Sequence, residues 1–178
     1  MDMARKFVRG LVGGVSVAAM TLIVVASAAQ ANPASNGNAV SIALTSTVAK
    51  ACSITTSATT ATLGDLQAAP ANNVTIATLT EACNDPSGYT VSLASANATS
   101  GSQLYLKGQT NASNVIDYSL SYNGQPVNYS NGSATITTAT SPTTSATGVS
   151  KPLAITTPAG FYAADTYTDT LTLTLAAS

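Results

Sequence analysis

Hydrophobic and polar positions alternate along most of this chain, and the alternation has a period of two. Between Ala34 and Ile54 the sequence reads ASNGNAVSIALTSTVAKACSI. Val40, Ile42 and Leu44 share one parity there and Ser41, Ala43 and Thr45 the other, which predicts a half-buried strand. No turn signal folds it back on the next segment, and terminal residues fray unless something holds them. At the other end, DTYTDTLTLTLAAS puts Tyr167, Leu171, Leu173 and Leu175 on one face and Thr168, Thr170, Thr172 and Thr174 on the other. That is the clearest strand in the chain.

Between these ends the pattern repeats in short runs. SITTSATTATLGDLQ contains a weak strand around residues 58–63 and a turn at Gly64-Asp65, and AAPANN (68–73) is a loop. VTIATLTEAC follows with Val74 and Ile76 on one parity, then NDPSG (84–88), a strong turn cluster. YTVSLAS alternates through Val91 and Leu93, and LYLKG is a short strand. VIDYSLSY presents Ile116, Tyr118, Leu120 and Tyr122 on one face. Asn123-Gly124 suits a type I′ hairpin turn because both residues tolerate positive φ. QPVNYS returns, with Pro126 keeping that strand at an edge. Asn131-Gly132 turns again into SATITT, so the middle reads as a meander. Residues 139–150 are a low-complexity exposed loop, and PLAITT is one more strand. No helical period appears. The expected fold class is all-β, a sandwich of about seven strands.

Composition changes this picture at three points. The first nine residues carry Arg5, Lys6 and Arg9, Leu11 to Val25 is apolar, and Ala29-Gln30-Ala31 is a small-x-small cleavage signal. Residues 1–31 therefore read as a signal peptide cut between Ala31 and Asn32. A membrane anchor is the alternative, but the apolar run is shorter than the roughly 20 residues a bilayer needs, so no direct membrane insertion is expected. Beyond the cut, the cations are Lys50, Lys107 and Lys151, against Asp65, Glu81, Asp85, Asp117, Asp165 and Asp169, with no Arg, His or Trp. A chain without a basic surface has nothing to neutralise phosphates, which excludes a nucleic-acid partner. Low charge with abundant Ala, Thr, Ser and Asn also describes disordered tracts, yet ordered alternation with β-branched residues favours a folded domain with neutral faces that repel their own kind little. Finally, Cys52 and Cys83 form an even pair in an exported chain and read as one disulfide. Two thiols without His cannot complete a usual zinc shell, and no cofactor is expected.

Candidate chemistry is sparse. Asp165 and Asp169 resemble a carboxylate pair of the glycosidase kind, but two acids beside a turn are more often solvated surface. Nothing marks any lysine as an activated nucleophile, and no enzyme is expected. Tyr105, Tyr118, Tyr122 and Tyr129 offer a carbohydrate-binding patch, or else ordinary sheet packing. The two terminal strands say more. A domain that stops on a core strand leaves backbone groups and a row of Leu side chains uncovered. A strand lent by another molecule fills such a gap. The alternative makes NAVSIALTST the domain's own first strand.

Four pieces in order, VSIALTSTVAKAC, CNDPSGYTVSL, IDYSLSYNG and TYTDTLTLTL, together resemble the chaperone–usher pilins. The resemblance is strongest to the archaic, Csu-type branch, whose subunits share the spore coat protein U domain. It implies an incomplete immunoglobulin-like sandwich at residues 49–178, completed by a donor strand from the 32–48 extension of another subunit. Val40, Ile42, Leu44 and Val48 are then the donor anchors, Leu171, Leu173 and Leu175 line the acceptor groove, and Cys52–Cys83 staples the first strands. The partners implied are a periplasmic chaperone, an outer-membrane usher and neighbouring copies of the same subunit. The product is a surface fimbrium reached through the periplasm, with a secreted carbohydrate-binding module or a coat protein as the alternative function. In one respect the sequence departs from the family: AGFYAADTYTDT carries extra residues, and Asp165 and Asp169 share the leucine parity. A bulge or a late strand start is required before Leu171.

Overall fold

The computed structural model describes residues 40–143 and 147–178. The export signal and its Ala31–Asn32 junction lie outside these residues. The chain divides into two units, 1–48 and 49–178. In the first, residues 40–48 hold no strand, and Val40, Ile42, Leu44 and Val48 are all exposed.

The second unit carries ten strands among the described residues. They are β1 (Cys52–Thr56), β2 (Val74–Cys83), β3 (Tyr89–Ser95), β4 (Leu104–Gly108) and β5 (Val115–Tyr122), then β6 (Gln125–Pro126), β7 (Ser133–Ala139), β8 (Val149–Thr156), β9 (Tyr167–Thr168) and β10 (Leu171–Ala177). The larger sheet runs β1-β2-β8-β5-β4-β9, with β6 hanging on β5, and the smaller runs β10-β3-β7. Every ladder is antiparallel. The architecture is that of an immunoglobulin-like sandwich. Its core contains Leu79, Leu93, Leu104, Ile116, Tyr118, Leu120, Leu153 and Ile155, contributed by both sheets.

Alternation carries the strands as expected from β3 to β5. In β5 the residues at 116, 118, 120 and 122 are buried and those at 115, 117 and 119 exposed. Both Asn-Gly turns form, with Asn123 at φ 50° and Gly124 at 77°, and Asn131 at 50° and Gly132 at 83°. Pro126 stands at an edge, paired only through Ser121.

Four expectations need correction. The half-buried strand expected at Val40, Ile42 and Leu44 does not form, because no strand edge pairs with this segment among the described residues and its apolar row stands exposed. Residues 58–63 form no strand, because the chain leaves the ladder after Thr56 and its hydroxyl turns back to Ala58 O at 2.7 Å. The central meander breaks after β6, and β7 pairs with β3 in the other sheet. Tyr129 fixes that crossing from the interior: its hydroxyl meets Ser95 N, Ala98 O and Gly132 O at 3.0, 2.8 and 2.5 Å. The terminal strand also splits. β9 pairs with β4, whereas β10 crosses to β3 in the opposite sheet. This late start of β10 accommodates the extra residues and the two aspartates.

Candidate functional site

Both sheets end at the same margin of the sandwich. β1 pairs only with β2 and β10 only with β3 among the described residues, so each presents a backbone edge without a strand partner. Between the two edges lies an open groove of about 650 Å³. Ile54 of β1, Ile76 and Leu79 of β2, Leu106, Leu153 and Ile155 behind them, and Leu171 and Leu173 of β10 make its apolar wall. Leu171 and Leu173 are only half-buried, while Thr172 and Thr174 are exposed. A closed sandwich buries the inward row of its last strand on both flanks. Here, among the described residues, no strand covers the outer flank, which is bordered by Ala58, Ala61 and Leu63.

Local structure aims these side chains. The β2–β8 register slips between Thr75 and Ala77, a bulge that inserts Ile76. Burial in β2 then falls on the odd positions Leu79, Glu81 and Cys83, and Ile76 is turned into the groove. At the end where β10 begins, Asp169 closes the groove with a polar knot. Its Oδ2 accepts from the Tyr118 hydroxyl at 2.5 Å and the Ser95 hydroxyl at 2.7 Å, and its Oδ1 from Asn97 N at 3.2 Å. Burial, and then the bond to Asp169, push the Tyr118 phenol above its ordinary range. Asp165 works separately, accepting from Thr110 N and Asn111 N at 2.9 and 3.0 Å. Those bonds hold its carboxyl down at about 2. Each acid thus fastens a different loop, and the two do not act as a pair on one ligand.

The opposite end is stapled. Cys52 and Cys83 face each other across β1 and β2 and are bonded, S–S 2.03 Å. Asn84 brackets the entry to β1, donating to Ala49 O at 2.8 Å and accepting from Ala51 N at 2.7 Å. Lys50 forms an ion pair with buried Asp85 and also reaches Ser178 O at 3.2 Å. Inside, Glu81 is fully buried and gathers Lys151 at 2.5 Å, the Tyr122 and Tyr89 hydroxyls at 2.5 and 3.0 Å and the Thr137 hydroxyl at 2.9 Å. Burial raises the Glu81 carboxyl, but hydrogen bonds from Lys151, Tyr122 and Thr137 outweigh it and hold the group below its ordinary value. Tyr89 is pushed up to about 12 by burial and by Glu81.

A model of the Spore Coat Protein U domain matches residues 38–174, most of the chain. The chain belongs to the spore coat protein U domain family. The match covers the exposed 40–48 segment as well as nearly all of the sandwich. Among solved structures, similarity is found to a chain of "Chaperone-tip adhesin complex is vital for synergistic activation of CFA/I fimbriae biogenesis". Identity is 17% and the TM-score 0.43, over 82% of this chain and 41% of that one. This chain therefore spans less than half of that relative's length. No curated protein matches.

Within this spore coat protein U domain the residues singled out from sequence fall in three places. Leu171 and Leu173 line the groove, whereas Leu175 packs beside Cys52, Tyr89 and Val91 in a second apolar cluster next to the disulfide. Val40, Ile42, Leu44 and Val48 stand exposed in the 40–48 segment. The tyrosine patch does not form: Tyr118, Tyr122 and Tyr129 are buried, and the Tyr105 hydroxyl is spent on Asn97 O at 2.6 Å. Sequence reading missed Ile54, Ile76, Leu106 and Ile155 as groove residues, because each looks like any other inward position of its strand. Glu81 had a weak signal, an acid in an apolar run at the parity of Leu79 and Cys83.

Proposed function

We propose that this chain is a structural subunit of a surface pilus that polymerises head to tail by donor-strand complementation. One observation carries the reading. An apolar groove lies open between two unpartnered strand edges, in a chain that also holds an exposed alternating segment, Val40, Ile42, Leu44 and Val48, ahead of its sandwich. In this reading residues 1–31 are the removed signal, 32–48 the donor extension and 49–178 the acceptor domain. The donor of one copy enters the groove of the next, between β1 and β10. Such a contact is heterologous and does not close on itself, so it builds a filament. Each apolar anchor contributes roughly 1.5–3 kcal/mol on burial and each new backbone bond about 0.5–1.5 kcal/mol net. Ordering the tail costs about 1–2 kcal/mol per residue, so the fit of the anchors decides the balance.

Until a donor arrives, the exposed groove is an aggregation hazard. A periplasmic chaperone covers it, and an outer-membrane usher exchanges chaperone for donor on the way to the cell surface. The filament then serves adhesion or biofilm formation. Family membership supports the pilus-related assignment and a structural rather than enzymatic role.

The deciding experiment co-expresses the chain with its presumed chaperone and usher and runs it on a denaturing gel without heating. The parent is expected to give a ladder of multimers. A variant with Ile42→Asp and Leu44→Asp is expected to lose the ladder while chaperone-bound monomer persists. The same soluble monomer from both would exclude strand donation.

A further inference from the structure

β1 ends where hydroxyl groups take over its ladder. Ser57 N donates to Thr78 O at 2.9 Å, as the next rung requires. Thr78 N, however, donates to the Ser57 hydroxyl at 2.8 Å in place of the Ser57 carbonyl. One residue earlier, the Thr56 hydroxyl accepts from Ala58 N at 3.3 Å and donates to Ala58 O at 2.7 Å. Side-chain bonds of this kind compete with a sheet ladder and lead the chain away from it. Residues 74–77 of β2 are left with β8 on one side and, among the described residues, no strand on the other. They are the residues that β1 would meet if it ran on past Ser57.

The released chain borders the groove instead. Ala58, Thr59, Thr60, Ala61 and Leu63 all line it. No hydrogen bond holds residues 59–64 among the described residues. Tethers resume at Asp65, whose carboxylate accepts from Gln67 N at 3.0 Å and whose carbonyl accepts from Ala69 N at 3.0 Å. Within 59–64 every residue is exposed except Leu63, which packs half-buried against the core. Leu63 also lines a second hollow of about 730 Å³, so this one side chain borders both spaces. A segment with a single apolar anchor and no backbone bonds opens at low cost.

We infer that residues 58–63 are a strap on the groove of the donor-free chain, which moves onto the free edge of β2 when a strand enters. Leu63 yields its place on the core to an entering apolar side chain, and β1 lengthens past Ser57. The strap regulates access to the groove whichever way the entering strand runs. It rests on the strand-donation reading above.

The test uses the full chain carrying Ile42→Asp and Leu44→Asp, which offers no donor of its own, and follows binding of a fluorescent peptide of residues 38–48 by stopped flow. If the strap must leave first, only the open fraction binds. Adding Leu63→Ala removes the anchor and is expected to speed association and tighten binding about fivefold. Adding Ser57→Ala returns Thr78 N to the Ser57 carbonyl and is expected to act in the same direction, by about twofold or more. Ser57 is exposed, so its variant decides the matter even where Leu63→Ala lowers stability. Unchanged, slower or weaker binding in either variant makes the segment a fixed wall, which overturns the strap and leaves strand donation standing. Peptide that binds none of the three chains overturns both.

Discussion

Glu81 keeps a full charge inside a sandwich whose other interior groups are nearly all apolar, and its partners come from both sheets. Lys151 reaches it from β8 and Tyr122 from β5, while Tyr89 and Thr137 reach it from β3 and β7. Such a pair is weak evidence for net stability, but removing one partner strands the other. Glu81→Gln is therefore expected to cost about 3 kcal/mol in urea unfolding of the monomeric chain, through the uncompensated Lys151. The pH profile has a sign. Glu81, Asp85 and Asp165 are all held below their ordinary values of 4.5, 3.8 and 3.8. The unfolded chain thus binds more protons in acid, and their contribution is complete above 4.5 and lost as pH falls through the folded values. Tyr89 runs the other way: its contribution is complete below 10 and lost as pH rises toward about 12. Glu81→Gln should flatten the profile just below pH 4.5 and leave the Asp165 portion toward about 2. An unchanged acid slope in the variant would assign the effect elsewhere.

At the scale of the element, β10 has two tasks on one strand. Its ladder with β3 holds the smaller sheet together, while Leu171 and Leu173 stay half-buried at the groove. Leu93, its neighbour on β3, is fully buried. Leu93→Ala should therefore cost about 3 kcal/mol of folding stability, the usual range for emptying a core site. Leu173→Ala removes the same atoms from a half-wet position and should cost the donor-free chain about 1 kcal/mol or less. In assembly the order is expected to reverse, with Leu173→Ala losing the ladder at temperatures where Leu93→Ala monomers still fold and polymerise. Equal losses of stability from the two would mean that the groove is already closed in the monomer.

At the scale of the molecule, the strand-donation reading makes folding and assembly one equilibrium. The chain carrying Ile42→Asp and Leu44→Asp keeps its groove but offers no donor of its own. A peptide of residues 38–48 should stabilise it by mass action, by about 2.7 kcal/mol at a hundred times the dissociation constant. For a domain of this size that is a rise of several degrees in Tm. A peptide with the same two aspartates is the control, and equal shifts from both would rule out recognition of the apolar row.

Much of this was legible in the order of residues. Period-two alternation marked β3, β5 and β10, the Asn-Gly pairs marked both tight turns, and Cys52 with Cys83 marked the disulfide, since each signal is local and its physics is complete within a few residues. What the alternation could not state is which sheet a strand joins. The bulge at Ile76 reverses the inward parity along β2, and the crossing after Thr168 sends β10 to the opposite sheet from β9. Leu175 shares the parity of Leu171 and Leu173, yet it packs against the disulfide end because the groove stops short of it. Tyr118 and Tyr122 carry the same pattern on one strand but serve Asp169, from the link between β9 and β10, and Glu81, from β2. Local order was enough for β3, β5 and β10, for both Asn-Gly turns and for the alternating apolar row at each end. Only tertiary structure decided that two sheet edges stop side by side with a gap between them, because an edge is defined by the strand that is not there.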